Sequence, residues 1–187
     1  LSIFSLGFFF FVIGLSRPQI GAKLKEHETK GAEIMIALDV SNSMLAEDYS
    51  PNRLSRAELA ISRLVDKLRD DRIGLIVFAG NSFVQLPITT DYVSAKMFLN
   101  SISTESVPVQ GTAIGDAINT AIRSFSAQSE KSRAIIVITD GENHEGGAEE
   151  AARAAAEKGM QVYVLGVGSP EGSPIPSGTR ANDFRKD

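Results

Sequence analysis

Glu33-Ile-Met-Ile-Ala-Leu-Asp-Val-Ser-Asn-Ser43 joins a short apolar run to a turn of oxygen-bearing side chains. Residues 33–38 (EIMIAL) have the length and the apolar continuity of a strand buried on both faces. Asp39-x-Ser41-x-Ser43 follows at once, a D-x-S-x-S pattern placed where such a strand should end. Two more apolar runs of the same kind lie downstream, Ile73–Ala79 (IGLIVFA) and Ala134–Thr139 (AIIVIT), and Val162–Val167 reads as a last strand.

Helical stripes separate these runs. In Asn52–Arg69, residues Leu54, Ala57, Ile61, Leu64, Val65 and Leu68 recur at helical spacing. Asp91 is suited to cap a helix running to about Ser101, with Val93, Met97, Phe98 and Ile102 expected inward. Gly111–Phe125 carries Ile114, Ile118, Ala121, Ile122 and Phe125, and Gly146–Lys158 is alanine-rich and closed by Gly159. Ser82–Ile88 differs, because only Gly80-Asn81 separates it from the preceding strand. That gap is too short for a crossover, so this strand should pair antiparallel, and Pro87 suits an edge. The pattern predicts an α/β fold: a Rossmann-like, doubly wound, mostly parallel sheet with one antiparallel edge strand and helices on both faces. Binding sites in such sheets lie past the carboxyl ends of strands, where strand order reverses.

The loops at that edge are rich in oxygen. Besides Asp39, Ser41 and Ser43 they carry Gly111-Thr112 and Thr139-Asp140-Gly141-Glu142. Hydroxyls and carboxylates, without soft ligands, suit a small hard divalent cation such as Mg²⁺, with Mn²⁺ as the alternative. Ser41, Ser43 and Thr112 would supply neutral oxygens, and Asp39 and Asp140 charge, directly or through water. A shell dominated by hydroxyls donates little charge and leaves the ion able to accept a carboxylate from another molecule. The plainer readings are turn hydroxyls for the serines, a helix cap for Thr112 and loop caps for the aspartates. Glu142, His144 and Glu145 read as a solvated loop at the rim. Met44 reads either as a partner contact or as half-buried packing.

These residues resemble the metal-ion-dependent adhesion site of von Willebrand factor type A domains, over about Gly31–Gly168. Arg17-Pro18-Gln19, DVSNSMLAED, RIGLIVFAG, QLPITTDY, QGTAIGDAI and ITDGENHEGG are similar to the bacterial aerotolerance (Bat) proteins, the BatB-like type in particular. The resemblance implies a membrane-anchored interaction module without catalytic activity, on the periplasmic side of the inner membrane. Implied partners are a protein donating a carboxylate to the ion, other Bat-type membrane proteins, or an ATPase of the MoxR type. Type A domains normally add a helix and a strand after the Val162 strand, so residues 31–187 read as a C-terminally incomplete domain with an open sheet edge.

The amino-terminal stretch is of another kind. Leu1–Leu15 (LSIFSLGFFFFVIGL) has no charge and holds five of the ten phenylalanines. Fifteen helical residues span roughly 22 Å against a hydrocarbon core of about 30 Å. With no Met at its start, the segment 1–16 reads as part of a transmembrane helix, and residues 17–30 as a juxtamembrane linker. Arg17, Lys23, Lys25 and Lys30 taken alone favour a cytoplasmic domain, against the periplasmic side that the resemblance implies.

Composition excludes several chemistries. The chain has 187 residues, a formal charge of −4, no cysteine and two histidines. Disulfides, thiolate metal sites, a cysteine nucleophile and a histidine-rich cluster are therefore out, and the net-acidic balance argues against nucleic acid. An Mg²⁺-dependent phosphohydrolase with an aspartate nucleophile usually has a second aspartate two residues on as general acid; here that position is Ser41. No G-x-x-x-x-G-K-[ST] phosphate loop is present.

Overall fold

The computed structural model describes residues 31–168 apart from 128, 130 and 142–145, together with the pairs 175–176 and 184–185. Five strands form one sheet: β1 (Ala32–Asp39), β2 (Arg72–Phe78), β3 (Ser82–Thr89), β4 (Ser132–Thr139) and β5 (Met160–Gly166). Their spatial order is β3-β2-β1-β4-β5. β1 pairs in parallel with β2 and with β4, and β4 in parallel with β5. β3 pairs antiparallel with β2 and forms one edge, as its short connection requires.

Side-chain alternation along the central strand divides the core in two. Ile36 and Leu38 join Leu54, Ile61 and Leu99 on the face covered by α1 (Arg53–Val65) and α2 (Tyr92–Asn100). Met35 and Ala37 join Ile118, Ile122 and Ala151 on the face covered by α3 (Ile114–Ser124) and α4 (Ala148–Glu157). The stripes expected on α1 and α3 are the ones buried. Asn52 caps α1 by accepting a hydrogen bond from the Ser55 amide at 2.8 Å. Asp91 does the same for α2, with the amides of Val93 and Ser94. Gly159 ends α4 with φ at +70°.

The inward face of α2 differs from expectation. Val93 and Met97 are 72% and 68% exposed and Phe98 is 41% exposed, while Ala95 and Leu99 are buried; Ile102, past the helix end, is buried as expected. Val93 and Met97 lie two residues before Ala95 and Leu99, about half a turn round the helix, and the bulkier pair is not the one buried. The rotation is set from outside: the Tyr92 hydroxyl donates to the carbonyls of Asp71 and Arg69 at 2.7 and 3.1 Å, and Lys96 pairs with Asp66 on α1. With these anchors in place, Ala95 and Leu99 face the core.

Two boundaries also shift. α3 begins at Ile114 and not at Gly111, and α4 at Ala148 and not at Gly146. Beyond β5, Ile175–Pro176 (β6) pairs antiparallel with Phe184–Arg185 (β7). β5 is the outer strand opposite β3, with Tyr163, Val164 and Leu165 exposed. Among the described residues no helix is long and apolar enough to cross a membrane. The segments 1–16 and 17–30 lie outside the described residues, as do Glu142, His144 and Glu145.

The register of α2 makes a direct prediction. Leu99→Ala will lower unfolding stability by about 2–5 kcal/mol, the range for truncating a buried leucine, and Met97→Ala by less than about 0.5 kcal/mol. Urea denaturation followed by circular dichroism reads both; a larger loss in Met97→Ala than in Leu99→Ala would show the other stripe to be the inner one.

Candidate metal centre

Strand order reverses between β1 and β4. The chain leaves β1 toward β2 on one side and reaches β4 on the other. The parallel register Leu38↔Ile138 brings the carboxyl ends of both strands to the same edge. Asp39 and Thr139-Asp140 therefore flank the switch point, where the backbone ends splay and leave room for a ligand.

Asp39 has no exposed surface. Its Oδ1 accepts the Ser41 amide at 2.9 Å, and its Oδ2 accepts the Thr139 hydroxyl at 2.7 Å. Burial pushes the Asp39 carboxyl up from 3.8 to about 6, and the neighbouring Asp140 carboxylate adds to the rise. The hydrogen bonds from Thr139 and Ser41 oppose it without cancelling it. Thr139 also ties the second loop to this centre, since its Oγ1 accepts the Gly141 amide at 3.2 Å.

A single short 3₁₀ turn, Asn42–Leu45, follows β1. Its hydrogen bonds run from the Met44 amide to the Ser41 carbonyl and from the Ala46 amide to the Ser43 carbonyl, both at 3.0 Å. The turn sets the Ser41 and Ser43 hydroxyls 2.9 Å apart, with both residues buried. Val40 and Met44 are fully buried beneath it. Met44 is thus a core residue, which overturns the partner-contact reading and makes it more buried than half-buried packing requires.

Thr112 reaches the same edge through a pinned loop. The Ala113 amide donates to the Ala79 carbonyl at 2.7 Å, and the Gly80 amide to the Val109 carbonyl at 2.9 Å. The Gln110 Oε1 accepts the Asn42 amide at 3.0 Å, which joins this loop to the serine turn. Gly80 is required here: a Cβ would come within 2.7 Å of Val109 Cγ1 and of the Gln110 carbonyl oxygen. Thr112 is buried, and its hydroxyl does not cap α3, whose cap position is Ala113 with no side-chain hydrogen bond.

Asp140 is held by a residue that the sequence reading does not single out. Its Oδ2 accepts Arg53 Nη1 at 3.2 Å, while Arg53 Nε faces the two Asp48 carboxylate oxygens at 3.0 and 3.2 Å. The side chains of Arg53, Asp48 and Asp140 are 4%, 5% and 1% exposed. Arg53 is the first residue of α1, where a cation opposes the helix dipole. An arginine in that position, five residues after an aspartate, is the signal that was available in the sequence. Thr139 stands in the same position relative to β4 as Asp39 relative to β1, and only its partner across the sheet reveals its role.

Asp39, Asp48 and Asp140 against Arg53 leave these four side chains with a formal charge of −2, the charge one divalent cation neutralises. The nearby donors are all oxygens, which fits a hard ion. Among the described residues no group of three or more His, Cys, Asp or Glu side chains is arranged to hold a metal.

A von Willebrand factor type A domain profile matches residues 34–142. BatB from Bacteroides thetaiotaomicron, described as a conserved hypothetical protein, is 66% identical, with 84% of this chain and 76% of that one covered and a TM-score of 0.80. An aerotolerance-related membrane protein from Bacteroides fragilis is 61% identical, with 84% and 77% covered and a TM-score of 0.80. The chain therefore belongs to the von Willebrand factor type A domain family, among the aerotolerance-related Bat proteins. The fold extends to the proximal thread matrix protein 1 of the mussel byssus, solved with a zinc-occupied MIDAS motif, at 21% identity, 74% and 36% coverage and a TM-score of 0.65. The chain spans about half the length of the curated relatives it matches.

The buried carboxyl of Asp39 predicts a pH dependence. Its folded-state value of about 6 lies above the unfolded one, so its protonated form favours the fold. That contribution is complete below about pH 4 and lost as pH rises through about 6, a difference on the order of 3 kcal/mol. In EDTA, the melting temperature of the wild type will therefore rise from pH 7 to pH 5 relative to Asp39→Asn, which cannot titrate. Parallel pH profiles for the two proteins would show that Asp39 is not the group responsible.

Proposed function

We propose that this chain is a membrane-anchored, metal-ion-dependent protein-interaction module that takes Mg²⁺, with Mn²⁺ as a substitute. Asp39, Ser41, Ser43, Thr112 and Asp140 would hold the ion, the aspartates directly or through water. The observation that carries this reading is the fully buried Asp39 carboxylate beside paired serine hydroxyls, at a strand-order switch point. When bound, the ion would supply a Lewis-acidic position for a carboxylate of a partner protein. The chain's own residues do the rest. Asp39 keeps its charge aimed at the serine turn through Thr139 and the Ser41 amide, and Gln110 locks the Thr112 loop to that turn.

Residues 1–16 would tether the module in the inner membrane, with residues 17–30 as linker and the type A domain from residue 31 onward on the periplasmic side. The partner would be a protein, such as another Bat-type membrane protein, in an envelope complex linked to aerotolerance. An adaptor role toward a MoxR-type ATPase would use the same site with a different partner. The interaction reading is favoured over a phosphohydrolase because a serine hydroxyl, paired with Ser43, stands where the general acid would be needed.

Calorimetric titration tests the ion. The protein will bind one equivalent of Mg²⁺ or Mn²⁺, and Asp39→Ala will remove the heat while keeping its circular dichroism spectrum. A folded wild type that shows neither heat nor a melting shift with either ion would overturn the reading. With the ion in place, a broad phosphatase screen will stay silent; turnover lost in Asp39→Ala would favour the enzyme instead.

A further inference from the structure

Three features stand out beside the proposed ligand set: the orphaned Oε2 of buried Glu33, the apolar cavity of about 470 Å³ between α1 and the end of β5, and the Asp48–Arg53 pair that holds the proposed ligand Asp140. We infer that Arg53 is the resident counter-cation of the centre: it holds Asp140 in the ion-free protein and thereby weakens the site's grip on a divalent cation. The inference rests on the reading of the site as a cation site.

Arg53 is an expensive residue where it stands. Its side chain is 4% exposed, and burying a charge costs several kcal/mol unless it is well paired. It also occupies the positive end of a helix. Two buried carboxylates from different parts of the chain offset both costs. Asp48 lies in the loop before α1 and Asp140 in the loop after β4, and one guanidinium joins them. Gly168 lies close by: a Cβ there would stand at ordinary contact distance, 3.4 Å, from the guanidinium carbon. Exclusion of water on that side strengthens the pairing by lowering the local dielectric.

The same pairing opposes an incoming ion. Asp140 has one of its oxygens committed to a guanidinium, and a divalent ion beside Asp39 would feel that positive charge at short range and in a poorly screened setting. Arg53 therefore stabilises the ion-free fold and taxes ion binding. A structural prop would do the reverse: by aiming Asp140 at the ion it would strengthen binding, and its loss would weaken it. The sign of the affinity change separates the two roles.

The test is Mg²⁺ titration by calorimetry, with melting curves in EDTA, on the wild type and three variants. Arg53→Gln will melt lower in EDTA and bind Mg²⁺ about tenfold tighter or more. Arg53→Lys, which keeps the charge and loses the fork, will stay within about threefold of the wild-type affinity and melt lower. The double variant Arg53→Met/Asp48→Asn guards against a misfolded single variant, because it removes both members of a buried pair and leaves the formal charge of the centre as it is in the wild type. It will also bind more tightly than the wild type. Binding equal to or weaker than wild type in the folded double variant would overturn the inference while leaving the cation site intact. Silence in the wild type and in every folded variant would overturn both.

Discussion

A carboxylate with no exposed surface ends the central strand, and the rest of the centre is arranged around it. Asp39 cannot shed its charge into water, so every neighbouring element supplies something to keep it in place: an amide from its own turn, a hydroxyl from β4, and a serine pair beside it. These donors hold the carboxylate but leave its pKa raised, which means the fold tolerates Asp39 rather than being stabilised by it. A protein that spends stability on one buried acid, at the point where its sheet reverses direction, has the local conflict expected of a functional site.

The sheet makes that conflict sustainable. β1 has neighbours on both sides and helices over both faces, so Met35, Ile36, Ala37 and Leu38 are all buried immediately before Asp39. Burying such side chains contributes roughly 1.5–3 kcal/mol for each large one, comparable to the cost of the carboxylate that follows. An edge strand could not bear the same load. It is consistent that the two outer strands, β3 and β5, carry exposed side chains and no residue of the centre.

Much of this was legible in the residues themselves, and what was not has a common cause. Continuous apolar runs for β1, β2 and β4, the two-residue gap before β3 and the stripes of α1 and α3 all express local geometry, and local geometry is written in spacing. The D-x-S-x-S turn was visible for the same reason. The face of α2 was misread because Tyr92 hydrogen bonds to carbonyls about twenty residues back decide its rotation. The roles of Thr139 and Arg53 are not written in spacing, because their partners Asp39 and Asp140 lie 100 and 87 residues away in the chain. The sequence fragment Asp48-x-x-x-x-Arg53 looks like an ordinary charged loop until the sheet brings Asp140 beside it. Long-range polar pairing leaves no period to read, and it is what completes the centre.

The two acids of the centre are handled in opposite ways, and the contrast bears on how such a site would work. Asp39 receives only neutral donors, while Asp140 receives a full positive charge. Neutral donors leave a carboxylate hungry for a cation; a guanidinium satisfies it. A centre with two unpaired acids would be costly without its ion, and one with two arginines would have no use for an ion at all. Pairing one acid and not the other yields a fold that stands without metal and still carries a negative balance facing the serine turn. On the proposed function, such a site holds its ion loosely, and a partner's carboxylate supplies the remaining negative charge. Ion and partner would then bind together more readily than either alone, which is the behaviour an interaction module of this kind requires.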